Sequence, residues 1–295
     1  KAWAEIFISG LTDIQWKDDP FVSLQLTQEK KTSLVKSFSS ESRGEDKYLY
    51  KDVIKRKGRG LIFLLHGPPG LGNTLTAESV AESTRRPLYH ASTGELSINV
   101  QQLEKQLFDI FRLGIRWGAV VLLDEADVLM TRRITTELAR NAIVAVFLRL
   151  IEYYDGMLFL TTNRLEDFDN AFYNRIHITI RYDTLKAPER TNIWRQHLTR
   201  ASRRNNESQI AGGVSSSPEW SEEAYRLLGQ IETNGRDIRN TTRTAYEYAR
   251  ALDEDLSIGH VLTVVRNNLD VDKHPDLPEI LQRLEALERE GAERG

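Results

Sequence analysis

One stretch of the sequence, residues 61–84, restricts the possible folds of this chain more than any other. It reads LIFLLHGPPGLGNTLTAESVAEST: a short apolar run, a glycine-rich turn at residues 67–72 and a helix-compatible segment from Thr74. In such a strand–turn–helix, the backbone N–H groups of the turn and the helix N-terminus form a positive concavity that suits phosphate. The stretch therefore predicts a phosphate-binding loop. A tight strand–helix turn without a ligand is the alternative.

The turn departs from the full phosphate-loop pattern, G-x-x-x-x-G-K-[ST], at one position. Gly67, Gly72 and Thr74 satisfy the pattern, but residue 73 is Asn where the pattern has Lys. Thr74 occupies the position whose hydroxyl holds Mg²⁺ in such loops. Asn73 keeps polarity without charge, so we expect nucleotide binding to be weakened and hydrolysis to be severely reduced or absent.

Length and composition fit a globular protein. The chain has 295 residues, with 40% hydrophobic and 28% charged residues, enough for one large domain and a smaller one. A net charge of −3 argues against bulk nucleic-acid binding, and the absence of cysteine excludes disulfides and thiolate sites. Residues 142–151, the most apolar helical run, contain Arg149 and are too short to span a bilayer. Without an initiator Met or a signal-peptide pattern, we expect a fragment of an intracellular protein, cytoplasmic or nuclear.

Residues 45–183 alternate between strand and helix patterns. Apolar runs predict strands at residues 61–65, 87–90, 119–123, 157–162 and 176–182. Apolar residues at the helical period predict helices at residues 100–113 and 138–154. Continuous apolar strands that alternate with helices predict an α/β domain with a parallel sheet covered on both faces. Ligands in such sheets bind at the carboxyl ends of the strands.

Three further segments complete the predicted organisation. Residues 1–44 precede the core, and residues 184–270 form a small helical domain. Its predicted helices cover residues 188–198, 221–230, 235–252 and 258–268, with a loop or insertion at residues 203–220. Residues 271–295 are a linker and a C-terminal helix at residues 278–290, whose apolar stripe we interpret as a solvated or partner-packing face.

Two adjacent acids follow the third predicted strand, in the sequence VVLLDEAD. Asp124 at the end of a buried strand can hold a metal, directly or through water, beside a phosphate loop. Glu125 can polarise an attacking water as a general base. The alternative is a pair of acids at a helix N-terminus, where the helix dipole favours negative charge.

Polar residues also stand at the ends of the next strands. Asn163, in FLTTNR, can orient a water between Glu125 and a γ-phosphate, although Asn is also common in turns after strands. Arg175, before the fifth strand, suits a phosphate clamp that reaches a neighbouring subunit; an ordinary surface Arg is the alternative. His177 is expected to face outward and is assigned no role.

Together, GPPGLGNT, LLDEAD, FLTTNR and the downstream Arg175 resemble the AAA-type ATPases, and most closely a group of fungal AAA-type ATPase proteins. The resemblance covers residues 3–269. It implies a P-loop NTPase-type parallel five-stranded sheet flanked by helices, followed by a small all-α lid. It also implies ATP or ADP with Mg²⁺ as ligands. The assembly that the resemblance implies is a homo-oligomeric ring, such as a hexamer, with ATP at the subunit interfaces.

The resemblance also assigns roles by position. Thr74 and Asp124 would hold Mg²⁺, Glu125 would activate water, Asn163 would position that water, and Arg175 would reach the γ-phosphate of the next subunit. Arg236, in NGRDIRN, would be the lid sensor, with a surface Arg at a helix start as the alternative. The nucleotide-binding set comprises Ile14, Gly67, Pro68, Pro69, Gly70, Leu71, Gly72, Asn73, Thr74 and Leu75, with Ile14 placed against adenine.

Two functions remain open. The first is an ATPase-fold module that remodels an unknown protein or complex, with weak or absent hydrolysis. The second is a non-hydrolysing nucleotide-binding scaffold or oligomerisation module that a bound nucleotide stabilises by mass action. Residues 94–101 lack the aromatic that polypeptide-threading rings carry after this point, so threading is not expected. The acidic balance and the lack of a basic-aromatic stripe disfavour a nucleic-acid motor.

Overall fold

The computed structural model describes residues 14–16, 24–26, 29–32, 34, 60–165, 168–208, 220–269 and 274–294. Most of the predicted segment 1–44 therefore lies outside the described residues. The described chain divides into two compact units. The sheet unit comprises the described residues of Lys1–Leu65 and Thr74–Ile180, and the helical unit those of His66–Asn73 and Arg181–Gly295.

A five-stranded sheet with the strand order β2-β3-β4-β1-β5 confirms the predicted α/β class. The strands are β1 (Leu61–His66), β2 (Leu88–Ser92), β3 (Val120–Asp124), β4 (Met157–Thr162) and β5 (Ile178–Arg181). β3 pairs in parallel with both β2 and β4. The central strands are almost fully buried, as their continuous apolar runs require, and Phe63 of β1 stacks on Phe159 of β4 with ring centroids 4.6 Å apart.

Helices flank this sheet. They are α1 (Asn73–Thr84), α2 (Val100–Trp117), α3 (Asp127–Met130) and α4 (Leu138–Glu152). The side chain of Asn99 caps the start of α2 by accepting hydrogen bonds from the N–H groups of Gln101 and Gln102, both at 3.1 Å. Gly118, in the left-handed conformation, ends the same helix. The buried face of α2 joins β3 and α4 in one hydrophobic core.

The helical unit has a separate hydrophobic core. Its helices are α5 (Ala187–Ser208), α6 (Glu222–Gln230), α7 (Gly235–Ala251), α8 (Ile258–Asn268) and α9 (Leu277–Arg294). Trp194 and Leu198 of α5 are almost fully buried in this core. No helix among the described residues combines the length and the apolarity needed to cross a bilayer.

The structure differs from the sequence predictions, or adds to them, at several points. Residues 203–208 continue α5 instead of forming a loop, because the run contains no Gly or Pro and extends a helix that its apolar residues already anchor. The stripe of α9 is buried in the helical core instead of facing solvent, with Leu284 fully buried. His177 lies at the surface, but its Nδ1 accepts a hydrogen bond from the N–H of Ile62 at 3.1 Å and reinforces the contact with β1.

Candidate functional site

Thr74 and Asp124, the two residues predicted to hold a metal, meet in the sheet unit. Asp124 ends β3, and Thr74 is the second residue of α1. Oγ1 of Thr74 lies 3.1 Å from Oδ2 and 3.4 Å from Oδ1 of Asp124. A hydroxyl and a carboxylate at this spacing are oxygen donors of the type that Mg²⁺ prefers.

A third residue, Thr161, orients Asp124 and was not predicted. Its hydroxyl donates a hydrogen bond to Oδ1 of Asp124 and accepts one, at 3.0 Å, from the backbone N–H of Glu125. Thr161 is buried near the end of β4, where the register pairs Leu123 with Leu160 and so places Asp124 opposite Thr161. The sequence shows two adjacent threonines in FLTTNR, but only the pairing of β3 with β4 shows that Thr161 bonds to Asp124.

Glu125, the predicted general base, occupies a strained backbone conformation with φ at 57°. The left-handed region costs a residue with a side chain about 1–2 kcal/mol. Two hydrogen bonds hold Glu125 there: its N–H donates to Thr161, and its carbonyl accepts from the hydroxyl of Thr93. The side chain is exposed, and no donor from the described part of the chain reaches its carboxylate. Strain of this kind often occurs at functional positions.

A second unpredicted neighbour of Asp124 is His90 in β2. Nε2 of His90 lies 3.5 Å from Oδ2 of Asp124, and the two side chains are 45% and 25% exposed. Oδ2 therefore faces both Thr74 and His90, whereas Oδ1 is used by Thr161. Parallel pairing of β2 with β3 sets His90 opposite Leu122, two residues before Asp124 and on the same face of the sheet.

Two further predicted site residues are Asn163 and Arg175. Asn163 follows β4 and is exposed, at the same end of the sheet as Asp124. The guanidinium of Arg175 donates to Oε2 of Glu152 at 2.7 Å and to the carbonyl of Ala171 at 2.9 Å. It is paired within its own chain, so its predicted role toward a neighbouring subunit stays a prediction.

The glycine-rich loop belongs to the helical unit, and its glycines are required by its shape. Gly67, Gly70 and Gly72 have φ angles of 154°, 81° and 103°, which residues with a side chain rarely adopt. A Cβ at Gly67 would lie 2.5 Å from the carbonyl oxygen of Tyr182. Tyr182 in turn donates its N–H to the carbonyl of His66 at 2.8 Å.

The loop also contacts the start of α7. The N–H of Arg236 donates to the carbonyl of Gly70 at 3.2 Å, and a Cβ at Gly70 would lie 2.5 Å from Oδ1 of Asn234. That same oxygen caps α7 by accepting from the N–H of Asp237 at 2.9 Å. The structure thus brings the predicted lid residue Arg236 to the loop through its backbone, and its side chain is exposed.

At the end of the loop, Oδ1 of Asn73 is buried and has no hydrogen-bond partner among the described residues. A buried polar atom without a partner is uncommon in folded proteins and indicates a position that a ligand can satisfy. Pro68, Pro69 and Leu75 are exposed, and Ile14 is 70% exposed. Roles for these four residues in nucleotide binding stay predictions.

Comparison with known proteins shows which family this part of the chain resembles. Residues 63–184 match the model of the family described as "ATPase family associated with various cellular activities (AAA)". Among curated proteins, the chain is 31% identical over 153 residues to human "ATPase family AAA domain-containing protein 3B", covering 48% of this chain and 23% of the relative. It is 27% identical over 183 residues to the "26S proteasome regulatory subunit 6B homolog" of Aspergillus niger, covering 58% and 40%.

A third relative is the "ATP-dependent zinc metalloprotease FtsH" of Mycoplasma genitalium, 29% identical over 177 residues, covering 55% of this chain and 24% of the relative. The chain thus spans less than half the length of these relatives. Residues 63–184 are therefore similar to the AAA ATPase domain, and the five-stranded sheet agrees with the fold predicted from the sequence.

Proposed function

We propose that this chain is an AAA-type module that binds ATP or ADP together with a divalent cation, and that its hydrolysis of ATP is weak or absent because Asn73 stands at the position of the loop Lys. The observation that carries the proposal is the contact of Thr74 with Asp124 at 3.1 Å. It joins the first turn of the helix after the loop to the acid at the end of β3, and β4 lies between β3 and the strand that precedes the loop. A turn without a ligand needs no such pair.

The phosphate groups of the nucleotide would lie on the backbone of the loop. Three glycines with positive φ let the loop form a concave surface of N–H groups, a shape that binds anions. Asn73 supports the same assignment, since its buried side-chain amide can turn and offer its NH₂ group to a phosphate oxygen. Because Asn73 is bonded to Thr74, the chain itself joins the loop to the residues that would hold the cation.

Thr74 and Asp124 would hold the divalent cation, which when bound neutralises phosphate charge. Thr161 keeps Asp124 in place and fixes the backbone of Glu125. The exposed carboxylate of Glu125 can then accept a proton from an attacking water, and Asn163 can orient that water. The missing element is the ammonium group of a Lys, which a neutral amide cannot replace when charge develops in the transition state.

Assembly and biological role extend this proposal. We extend the proposal to a homo-oligomeric ring, such as a hexamer, that remodels a protein substrate inside the cell. Arg175 on the rim of the sheet supports this extension, as do the proteasome subunit and the ATP-dependent protease among the relatives. A non-hydrolysing scaffold that nucleotide stabilises by mass action is the second candidate, and Asn73 favours it.

The test compares the chain with its Asn73→Lys variant in the presence of Mg²⁺. We expect calorimetry to show binding of ADP by both proteins. We also expect the Lys variant to hydrolyse ATP at least about 100-fold faster, the loss typical of removing one transition-state donor. Equal, negligible turnover of both proteins with intact binding would favour the scaffold. Turnover of the unaltered chain near ~10 s⁻¹ would refute the proposed defect. Absence of binding in both would refute the site.

A further inference from the structure

We propose that His90 is a third ligand of the cation held by Thr74 and Asp124, and that this site therefore prefers a divalent first-row transition cation, such as Mn²⁺, over Mg²⁺. The inference rests on the proposed nucleotide–cation site and adds to it a residue and a metal preference that the phosphate-loop pattern does not contain.

Distances around one oxygen atom support this assignment. Oδ2 of Asp124 lies 3.1 Å from Oγ1 of Thr74 and 3.5 Å from Nε2 of His90. Two ligands on one cation, with bonds of about 2.1 Å and octahedral or tetrahedral angles, lie about 3.0–3.4 Å apart. Both spacings are therefore close to those of ligands that share an ion.

The hydrogen bond that Oδ2 of Asp124 accepts comes from Thr74, the other proposed oxygen ligand. Thr161 donates to Oδ1 of Asp124, so the carboxylate is oriented with Oδ2 toward Thr74 and His90. The imidazole of His90 is 45% exposed, so the ring can adjust toward an ion without leaving a packed core. In the tautomer with its proton on Nδ1, Nε2 offers a lone pair.

The chemistry of this donor set differs from that of an all-oxygen site. Hydroxyl and carboxylate oxygens suit both Mg²⁺ and Mn²⁺, whereas an imidazole nitrogen suits the transition cations from Fe²⁺ to Zn²⁺ and is accepted more readily by Mn²⁺ than by Mg²⁺. One nitrogen among oxygen donors and phosphate therefore shifts the preference toward transition cations. A simple His–Asp ion pair, without ligation, is the structural alternative that the experiment must distinguish.

Pulsed electron paramagnetic resonance of the full chain with Mn²⁺ and ADP tests the assignment. We expect ¹⁴N modulation from a coordinated imidazole, which changes when the histidines carry ¹⁵N and disappears in His90→Phe. His274→Phe, which removes an imidazole of the helical unit, should retain the signal. We also expect the Mg²⁺ concentration that displaces half of the Mn²⁺ to fall at least about tenfold in His90→Phe.

A second variant, His90→Gln, keeps a polar side chain that can reach Asp124 and exchanges the nitrogen ligand for an oxygen. We expect it to bind Mn²⁺ with ADP, to lack the histidine signal and to shift toward Mg²⁺. Nucleotide-dependent Mn²⁺ binding without a His90 signal, and with unchanged Mg²⁺ displacement in both variants, would overturn the inference and leave the proposed function intact. Absence of any ADP-dependent Mn²⁺ binding by the unaltered chain would overturn both.

Discussion

The hydroxyl group of Thr161 donates a hydrogen bond to Oδ1 of Asp124. Through the same hydroxyl, Thr161 accepts the backbone N–H of Glu125, so one buried side chain fixes two consecutive acids. The hydroxyl of Thr161 thus links the ends of β3 and β4, and it can orient Asp124 without contacting a ligand. Residues that orient a metal ligand commonly matter almost as much as the ligand.

Replacing Thr161 with Val should keep the volume of the side chain and remove both hydrogen bonds. We expect the affinity for Mn²⁺ in the ADP complex, measured by calorimetry, to fall about 10–100-fold. We expect the free energy of unfolding in urea to fall by about 1–2 kcal/mol, because the N–H of Glu125 loses its acceptor. Thr162→Val is the matched control, since Thr162 is equally buried but bonds to Asp127. An equal loss of Mn²⁺ affinity in the control would contradict the assigned role.

The glycines of the loop allow a paired test of its contact with α7. Gly70→Ala and Gly72→Ala both place a side chain at positive φ, at 81° and 103°. Only at Gly70 does the new Cβ meet Asn234, whereas nothing lies within 4 Å of it at Gly72. We expect Gly70→Ala to lose about 1 kcal/mol more in thermal denaturation, and more ADP affinity, because the collision adds to the backbone cost. Equal effects of the two substitutions would show that the contact carries no energy.

The stability of the fold should depend on His197 at acid pH. Burial, with Arg200 and Arg239 nearby, lowers the pKa of His197 to about 4. The unfolded chain takes up this proton near pH 6.5 and the folded chain only near pH 4, so the free energy of unfolding falls as the pH drops through this window. Allowing for partial solvent contact, we expect a loss of about 2 kcal/mol between pH 7 and pH 4.

The measurement is urea denaturation at several pH values, for the unaltered chain and for His197→Gln. Partial desolvation of its ring also lowers the pKa of His177, so the unaltered chain loses stability in acid for more than one reason. The difference in the free energy of unfolding between the two proteins isolates His197 and should stop changing with pH above pH 7. Parallel pH profiles for the two proteins would contradict the assigned pKa.

Substitutions at the two residues of the ion pair between Arg175 and Glu152 can distinguish a catalytic role of Arg175 from a structural one. The two side chains are 27% and 22% exposed. In the Asn73→Lys background, we expect Arg175→Gln to lower ATP turnover about 10³-fold if it serves a neighbouring subunit. Glu152→Gln should retain most of the turnover while losing about 1 kcal/mol of stability. Equal loss of turnover in both variants, with Arg149→Gln unaffected as a control on the same helix, would mean that the pair is only structural.

Much of the fold could be predicted because its signals are local. Apolar runs predicted all five strands, but the residues at which the strands begin and end depend on hydrogen bonds with other segments. The fifth strand was predicted from residue 176 but begins at Ile178, because the N–H groups of Arg175 and Ile176 both donate to the carbonyl of Phe172 and hold that segment in a turn. The continuation of α5 was missed because polar composition alone does not end a helix.

The site could be predicted only in part. Thr74 and Asp124 follow from motifs, since each stands where a strand or loop ends. The positions of Thr161 and His90 beside Asp124 could not be predicted, because they depend on the register between strands that are far apart in sequence. The contact of Gly70 with Arg236 likewise joins residues that no local pattern relates.

The hydrogen bond between Arg236 and Gly70 can also report on the conformation of the loop. The amide proton of Arg236 is held by a carbonyl of the loop instead of by a residue of its own helix. A movement of the loop that breaks this hydrogen bond exposes the amide proton of Arg236 to solvent. The rate at which that proton exchanges with deuterium therefore reports whether the loop has moved. A change at one glycine would then be recorded 166 positions further along the chain, at an atom that spectroscopy can follow without any label on the ligand.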